Sequence, residues 1–191
     1  MIRLRSRLTA VMATTVAVVG ATAGAVTAQR APSDVEVVSA TLRNAAGAEV
    51  GFAEFRKSPR SAVAVALTAR GLTPGYHGFH VHTVGRCDAP SFESALGHLK
   101  NPGEDHGAHK GDFPPLLVKR DGTATARFQT DRFGLEALRD PDGSAVMIHA
   151  LPDNSANIPT ARYDPDVDQV TKDTGDSGAR VACGVVPAAS R

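Results

Sequence analysis

Residues 78–82, Gly-Phe-His-Val-His, predict a β-strand that carries two histidines on one face. Side chains alternate between the two faces of a strand, so His80 and His82 project together while Val81 projects to the opposite side. With a rise of about 3.3 Å per residue, the two histidine Cα atoms lie about 6–7 Å apart, within reach of a single metal ion. The pair by itself is equally compatible with two surface histidines on a half-exposed strand.

The same alternation of apolar and polar residues recurs along the chain and predicts about eight short strands. The segments are 35–58 (two strands around a turn at 44–47), 61–70, the strand that contains His80 and His82, 116–130 (two strands around a turn at 121–122), 144–151 and 179–186. A helical turn is predicted within 133–143, and two long segments without periodicity, 84–115 and 152–178, are typical of functional loops. We therefore predict an all-β fold, an eight-stranded antiparallel Greek-key sandwich or barrel with two long functional loops.

The N-terminal segment indicates export from the cytoplasm. Three arginines precede an apolar run over residues 8–27. The small residues at 26–28 occupy the positions that a signal peptidase reads, which predicts cleavage after Ala28. An uncleaved membrane anchor is the alternative, but the run is rich in alanine, glycine and threonine rather than leucine, which favours cleavage. We therefore predict a signal peptide over 1–28 and one secreted, extracytoplasmic domain over 29–191, with no stable membrane insertion after cleavage.

The net charge of the chain bears on which classes of partner it can bind. The formal net charge of +1 becomes −2 when the three arginines of the signal peptide are removed. This near balance gives no electrostatic footprint for nucleic acid or for a membrane surface.

The only two cysteines are Cys87 and Cys183, and in an oxidising compartment two thiols most simply form one disulfide.

The first long loop concentrates metal-binding residue types. His98, His106, His109 and Asp112 follow one another at spacings of eight, three and three residues. Three imidazoles and one carboxylate form a ligand set that suits tetrahedral zinc, whereas a polar solvated loop commonly holds a single histidine. His149 lies where an apolar strand gives way to a loop, and alone it would more often be a hydrogen-bonded core histidine.

Five motifs in the same order resemble the copper,zinc superoxide dismutases and look most like their bacterial secreted branch. They are GFHVHTVGRC (78–87), GHLKNPGEDHG (97–107), HKGD (109–112), IHALPDN (148–154) and TGDSGARVACGVV (174–186). The resemblance implies copper ligands His80, His82, His98 and His149, and zinc ligands His98 (bridging both metals), His106, His109 and Asp112. It also implies that Asp153 supports both sites through hydrogen bonds to ligands, that Cys87 pairs with Cys183, and that Arg180 lies beside the copper channel.

The resemblance further implies that superoxide is the small-molecule substrate. In the family's reaction one superoxide reduces Cu(II) and leaves as dioxygen, and a second reoxidises Cu(I) and leaves as hydrogen peroxide. Neutral imidazoles suit a copper ion that alternates between two oxidation states. His98 would release copper on reduction, take up a proton and pass it to the second superoxide, while zinc, which has no redox chemistry, would orient His98.

Two segments depart from the family pattern. Only residues 107–108 separate His106 from His109, where the family has a longer stretch, so a copper-only superoxide dismutase is an alternative to a two-metal enzyme. A ligand set lost to drift would more often lack residues than keep all four on a shorter loop, which favours zinc. The loop over 152–178 differs from the family's charged channel loop, and Arg180 alone is carried over as a guide for anions.

Two further alternatives belong to other functional classes. Residues 175–178 (GDSG) resemble the segment around the nucleophile of chymotrypsin-like proteases, which would make Ser177 a nucleophile. The match ends at Ala179 and no histidine lies in the protease context, so a glycine-rich turn explains the segment equally well. A non-catalytic secreted copper-binding protein would need neither Arg180 nor a bridge through His98, and both residues favour the enzyme. The sequence leaves open whether the chain forms a homodimer.

Overall fold

Nine antiparallel strands form one sheet in the computed structural model, which describes residues 36–59, 62–157 and 166–190. The strands are β1 (Val37–Asn44), β2 (Glu49–Lys57), β3 (Val63–Ala69), β4 (Gly75–His77), β5 (Phe79–His82), β6 (Leu116–Val118), β7 (Ala124–Thr130), β8 (Ser144–His149) and β9 (Arg180–Val186). Their order across the sheet is β4-β6-β7-β3-β2-β1-β9-β8-β5. Because β4 and β5 stand at the two ends of this order and follow each other in the chain, the sheet curls into a nearly closed barrel. The predicted all-β Greek-key barrel is confirmed.

The strand predicted around the two histidines is in fact two strands, which is why the barrel has nine described strands rather than eight. β4 pairs with β6, whereas β5 pairs with β8. The partner changes at Gly78, whose N–H donates to the Leu151 carbonyl at 2.8 Å and whose carbonyl accepts from the His149 N–H at 2.9 Å. A Cβ atom at position 78 would collide with the Ser177 side chain, so glycine is required for this close approach.

A cluster of aromatic rings joins the first long loop to the barrel core. Phe79 of β5 packs on Phe113 with ring centroids 5.1 Å apart, and Phe113 packs on Phe128 of β7 at 5.0 Å. Phe113 belongs to the loop over 84–115, and its side chain is buried. Burying a phenylalanine contributes about 1.5–3 kcal/mol, so this ring fixes the end of the loop against the core.

The second long loop contains a helix that the sequence analysis did not predict. This helix, α1 (Gln169–Thr174), begins after Asp168, whose carboxylate accepts a hydrogen bond from the Thr171 N–H at 2.7 Å. It ends at Gly175, which has a φ of 62°. The helical turn predicted within 133–143 is confirmed as a 3₁₀ turn over Leu135–Leu138.

The predicted signal peptide, residues 1–28, lies outside the described residues. Within the ranges that are described, no helix combines the length and the apolar character needed to cross a membrane.

The predicted disulfide is present. Cys87, in the first long loop, is bonded to Cys183 of β9, with Cα atoms 5.7 Å apart and a sequence separation of 96 residues. Cys183 is buried in a small apolar cluster with Phe92, Ala95 and Met147. The bond therefore ties the beginning of the loop to the barrel wall, as Phe113 ties its end.

Removing this disulfide is expected to lower the free energy of unfolding by about 4–5 kcal/mol. On the chain-entropy model, a cross-link that closes a loop of about 100 residues restricts the unfolded chain by this amount. The measurement is urea denaturation of the Cys87→Ser/Cys183→Ser double variant against the wild type, with reduced wild type as the matched control. Equal unfolding free energies for all three proteins would contradict the prediction.

Candidate metal centre

The first long loop lies along the edge of β5. The Val81 N–H donates to the Gly111 carbonyl at 2.9 Å, and the Leu99 N–H donates to the Val81 carbonyl at 2.8 Å. A Cβ atom at Gly111 would collide with the Val81 carbonyl, so the loop approaches the strand this closely only with glycine there. These bonds bring His98 and Asp112 of the loop beside the histidines of β5.

Four imidazoles form the first histidine group, which consists of His80, His82, His98 and His149. Their ligand-type nitrogens all lie within 4.8 Å of one another, and all four side chains are buried. His80 and His82 face the same side of β5, as predicted. His149 comes from the end of β8, the strand next to β5 in the sheet, and its Nε2 lies 3.3 Å from Nε2 of His82.

The outer ring nitrogens of three histidines in this group bond to protein oxygens, which fixes their orientation. Nδ1 of His82 contacts the Leu96 carbonyl at 2.7 Å, Nδ1 of His149 contacts the Gly178 carbonyl at 3.0 Å, and Nε2 of His80 contacts Oδ2 of Asp153 at 2.6 Å. Because these oxygens accept, the outer nitrogens donate and the inner nitrogens keep free lone pairs. Among the described residues, the buried Nδ1 of His80 and Nε2 of His98 have no hydrogen-bond partner, as expected for atoms that bind a metal ion.

A second group surrounds the carboxylate of Asp112 and consists of His98, His106, His109 and Asp112. Oδ1 of Asp112 lies 2.9 Å from Nδ1 of His98, 3.2 Å from Nδ1 of His106 and 3.3 Å from Nδ1 of His109. Nδ1 of His98 lies 3.3 Å from Nδ1 of His109. A tetrahedron with metal–nitrogen bonds of about 2.0–2.1 Å has edges of about 3.3–3.4 Å, so three of these four distances match the edges of a tetrahedral site and the fourth, 2.9 Å, is shorter.

His80, rather than His109, has a ligand-type atom that lies within 4.8 Å of those of His98, His106 and Asp112, so His80 competes with His109 for a place in the second group. Its Nε2, however, is engaged with Asp153, and its unpaired Nδ1 belongs to the first group. The outer Nε2 of His109 instead contacts the Glu104 carbonyl at 3.0 Å, which leaves Nδ1 free. Nδ1 of His109 is therefore available to the second group, at 3.3 Å from both Nδ1 of His98 and Oδ1 of Asp112.

Asp153 connects the two groups. One carboxylate oxygen accepts from His80, and the other accepts from Nε2 of His106 at 2.8 Å. The Ser155 N–H donates to the same carboxylate at 2.6 Å. The Ser177 hydroxyl, which is fully buried, donates to it at 3.4 Å. Ser177 thus contacts a carboxylate rather than a histidine base, and the geometry does not support a protease nucleophile.

Gly175 is a functional position that the sequence analysis missed. A Cβ atom there would collide with the His106 ring, so the end of α1 packs directly on this imidazole. The His106 N–H also donates to the Lys172 carbonyl at 2.6 Å. Asp168 is a residue type that favours a helix N-cap, and glycine, as at position 175, favours the end of a helix. Together these two residues are the signal that could have identified both the helix and the contact.

The pKa values of the two groups differ in direction. Burial lowers the pKa of His98 and of His149 to about 4, and burial also lowers the pKa of His80 and His82. Burial alone would lower the pKa of His106 as well, but hydrogen bonds to Asp112 and Asp153 outweigh it and raise this pKa to about 9. The first group is therefore neutral and ready to bind a cation at pH 7, whereas His106 carries a proton in the metal-free chain.

Arg180 lines a cavity of about 370 Å³ that reaches the first histidine group, with His82, His98 and His149 in its wall. The guanidinium donates to the carbonyls of Phe92 and Leu96, each at 2.6 Å, which fixes its position. Partial burial lowers the pKa of Arg180, but an arginine this basic keeps its charge at any working pH. The cavity therefore presents a fixed positive charge beside the three neutral imidazoles of its wall.

Comparison with known proteins agrees with this geometry. Residues 49–186 match the sequence profile of the family described as copper/zinc superoxide dismutase. A "Superoxide dismutase [Cu-Zn]" of Mycolicibacterium paratuberculosis is 40% identical over 182 residues, which cover 86% of this chain and 80% of the relative. The Cu/Zn superoxide dismutase structure from Brucella abortus has a TM-score of 0.63 at 27% identity, covering 79% of this chain and 99% of that one. A superoxide dismutase-like protein from Bacillus subtilis has a TM-score of 0.63 at 30% identity, covering 78% and 97%. The chain belongs to the copper/zinc superoxide dismutase family.

Proposed function

We propose that this protein is a superoxide dismutase that converts two superoxide anions and two protons to dioxygen and hydrogen peroxide. Copper would be held by the first histidine group, His80, His82, His98 and His149, and zinc by the second group, His98, His106, His109 and Asp112. The observation that carries the proposal is the position of His98, which directs Nδ1 to the second group while its buried Nε2 is unpaired at the first. An imidazole that bridges two metal ions requires this arrangement.

Copper supplies one-electron chemistry when it is bound, because it is stable in two oxidation states. The chain supplies the orientation of the ligands and a place for a proton. His98 lines the cavity, and its buried, unpaired Nε2 can hold a proton when it is not bound to copper. A proton held at this atom lies beside the cavity, where it can pass to the peroxide product.

Zinc would contribute orientation rather than redox chemistry. Bound at Nδ1 of His98, it would fix the ring so that Nε2 faces the copper ligands. Asp153 supports the same alignment from outside, since it bonds a ligand of each metal. A non-catalytic copper-binding protein has no need of the shared imidazole, the shared carboxylate or the guanidinium in the cavity.

The proposal is tested by measuring superoxide dismutation with the purified chain loaded with copper and zinc. We expect activity that disappears when copper is chelated and returns when copper is added back. Metal-loaded protein that binds copper stoichiometrically but does not accelerate dismutation would identify a copper-binding protein instead.

Zinc binding is expected to depend on pH through His106. Because hydrogen bonds to Asp112 and Asp153 raise the pKa of His106 to about 9, zinc must displace a proton below this pH. Apparent zinc affinity should then fall about tenfold per pH unit between pH 9 and pH 7, measured by competition with a chelator of known protonation. Copper binding serves as the internal control and should stay flat over this range, because the pKa values of His98 and His149 are about 4. A pH-independent zinc affinity would contradict the prediction.

Arg180 would guide the anionic substrate to the copper site. Its guanidinium is held in the cavity wall by two carbonyls and offers further N–H donors to a small anion. Arg180→Ala is expected to lower the second-order rate constant about tenfold at low ionic strength while the copper content stays unchanged. The variant should also flatten the dependence of the rate on salt.

The matched control for this charge removal is Arg127→Ala. Arg127 is exposed on β7 and is not among the residues that line the cavity. It should keep the wild-type rate and the wild-type dependence on salt. An Arg180→Ala rate equal to that of the wild type at low salt would rule out the guiding role.

We also propose that residues 1–28 are cleaved and that the domain over 29–191 acts outside the cytoplasm. The disulfide between Cys87 and Cys183 supports this location, because such bonds persist in oxidising compartments. Mass spectrometry of the protein from culture medium should find an N-terminus near residue 29 and the two cysteines linked. Full-length protein confined to the cytoplasm with free thiols would contradict it.

A further inference from the structure

The segment between the zinc ligands His106 and His109 is only two residues long, and a left-handed residue shapes it. Gly107 has a φ of 91°. A side chain at this position would also collide with Ala156, so the turn is packed tightly from one side. A turn this short has few internal contacts, and its conformation must be set by groups outside it.

One of these groups is the carboxylate of Asp112, on the inner side of the turn. Its Oδ2 accepts hydrogen bonds from the Gly107 N–H at 2.7 Å and from the His109 N–H at 3.1 Å. Its Oδ1 faces the three imidazoles of the second group. Asp112 therefore holds the N–H side of the turn while it serves as a ligand.

The other group is the guanidinium of Arg132, on the outer side of the same turn. Nη1 donates to the His109 carbonyl at 2.8 Å, and Nη2 donates to the Gly107 carbonyl at 3.0 Å. The two residues that offer N–H groups to Asp112 thus offer their carbonyls to Arg132. Arg132 precedes Phe133, whose side chain is buried in the core, so the backbone that carries the guanidinium is anchored.

We propose that Arg132 is a positioning residue for zinc, which holds the shortened turn in the conformation that presents His106 and His109 to one ion. The inference rests on the proposed zinc site. The planar guanidinium holds two N–H donors in a fixed, fork-like arrangement, so that it donates to two carbonyls that lie two residues apart. A lysine ammonium group has no such fork. Hydrogen bonds that orient metal ligands typically change metal affinity by about 10–100-fold.

The experiment is a zinc titration of the full chain in competition with a chromophoric chelator. Arg132→Ala is expected to bind zinc about 10–100-fold more weakly than the wild type. Arg132→Lys, which keeps the charge but loses the fork, should show most of the same loss. The control Arg127→Ala removes an equivalent charge from β7 and should bind zinc like the wild type. Copper affinity measured in the absence of zinc should be unchanged in all three variants, because the turn carries none of the copper ligands.

Cobalt(II) substitution gives a second measurement that a general loss of stability would not imitate. The wild-type second group should give the strong visible absorption of tetrahedral cobalt, and Arg132→Ala should give a weaker or shifted band while its metal-free form melts like the wild type. If Arg132→Ala leaves both the zinc affinity and the cobalt absorption unchanged, the positioning role of Arg132 is wrong. That result would not contradict the zinc site itself. A wild-type chain that binds no zinc would overturn both.

Discussion

Replacing His82 with alanine is expected to abolish copper binding and superoxide dismutation together. His82 lies in β5 with Nδ1 bonded to the Leu96 carbonyl and Nε2 facing His149. Loss of one of four ligands removes a bond to the metal and opens the site to water. Because changes to groups that merely support ligands already cost about 10–100-fold in metal affinity, we expect copper affinity and activity to fall by more than about 100-fold. Metal analysis after dialysis and a dismutation assay of the same sample provide the measurement.

The matched control is Val81→Ala, one residue away on the same strand. Val81 is fully buried but projects into the core rather than toward the histidines. The variant should lose about 2 kcal/mol of stability and keep its copper and its activity. A His82→Ala protein that remains active with a full complement of copper would show that the metal is held elsewhere.

Replacing His109 with alanine is expected to remove zinc while copper stays bound. Nδ1 of His109 lies 3.3 Å from both Nδ1 of His98 and Oδ1 of Asp112, at the edge length of a tetrahedral zinc site. Without it, zinc affinity should fall by more than about 100-fold. Holo protein should then melt at a lower temperature than wild-type holo protein, because the zinc-binding free energy no longer stabilises the fold.

Asp105→Asn is the control for this variant. Asp105 is exposed in the same loop, and its carboxylate belongs to neither ligand group. It should keep near one zinc per chain, as measured by elemental analysis of protein produced with both metals available. Wild-type protein that is fully active with copper and contains no zinc would identify a copper-only enzyme, in which His106 and His109 serve another purpose.

The first histidine group was largely predictable because its key pair depends on local periodicity. Alternation along a strand puts His80 and His82 on one face whatever lies around them. The partner switch at Gly78 was not predictable in this way, because it depends on Ser177, about 100 residues further along the chain.

The second group depends more on contacts that are distant in sequence. The spacing of its ligands was visible, but the carbonyls of the turn between His106 and His109 accept hydrogen bonds from Arg132, which follows β7 and lies outside the loop. Helix α1 was missed because it lacks an apolar stripe, and its single buried residue is Thr171. The capping residues Asp168 and Gly175 were the available evidence for it.

One oxygen of the Asp153 carboxylate bonds to His80 and the other bonds to His106. Because each histidine belongs to a different metal site, this shared carboxylate links the binding of the two metals thermodynamically. An ion that orders His106 also orders Asp153, and through it the ring of His80. Whatever factor zinc adds to the affinity for copper, copper must add to the affinity for zinc, because the coupling free energy is the same in both directions. Where zinc binding strengthens copper binding, a chain without zinc holds copper more weakly although all four copper ligands remain in place.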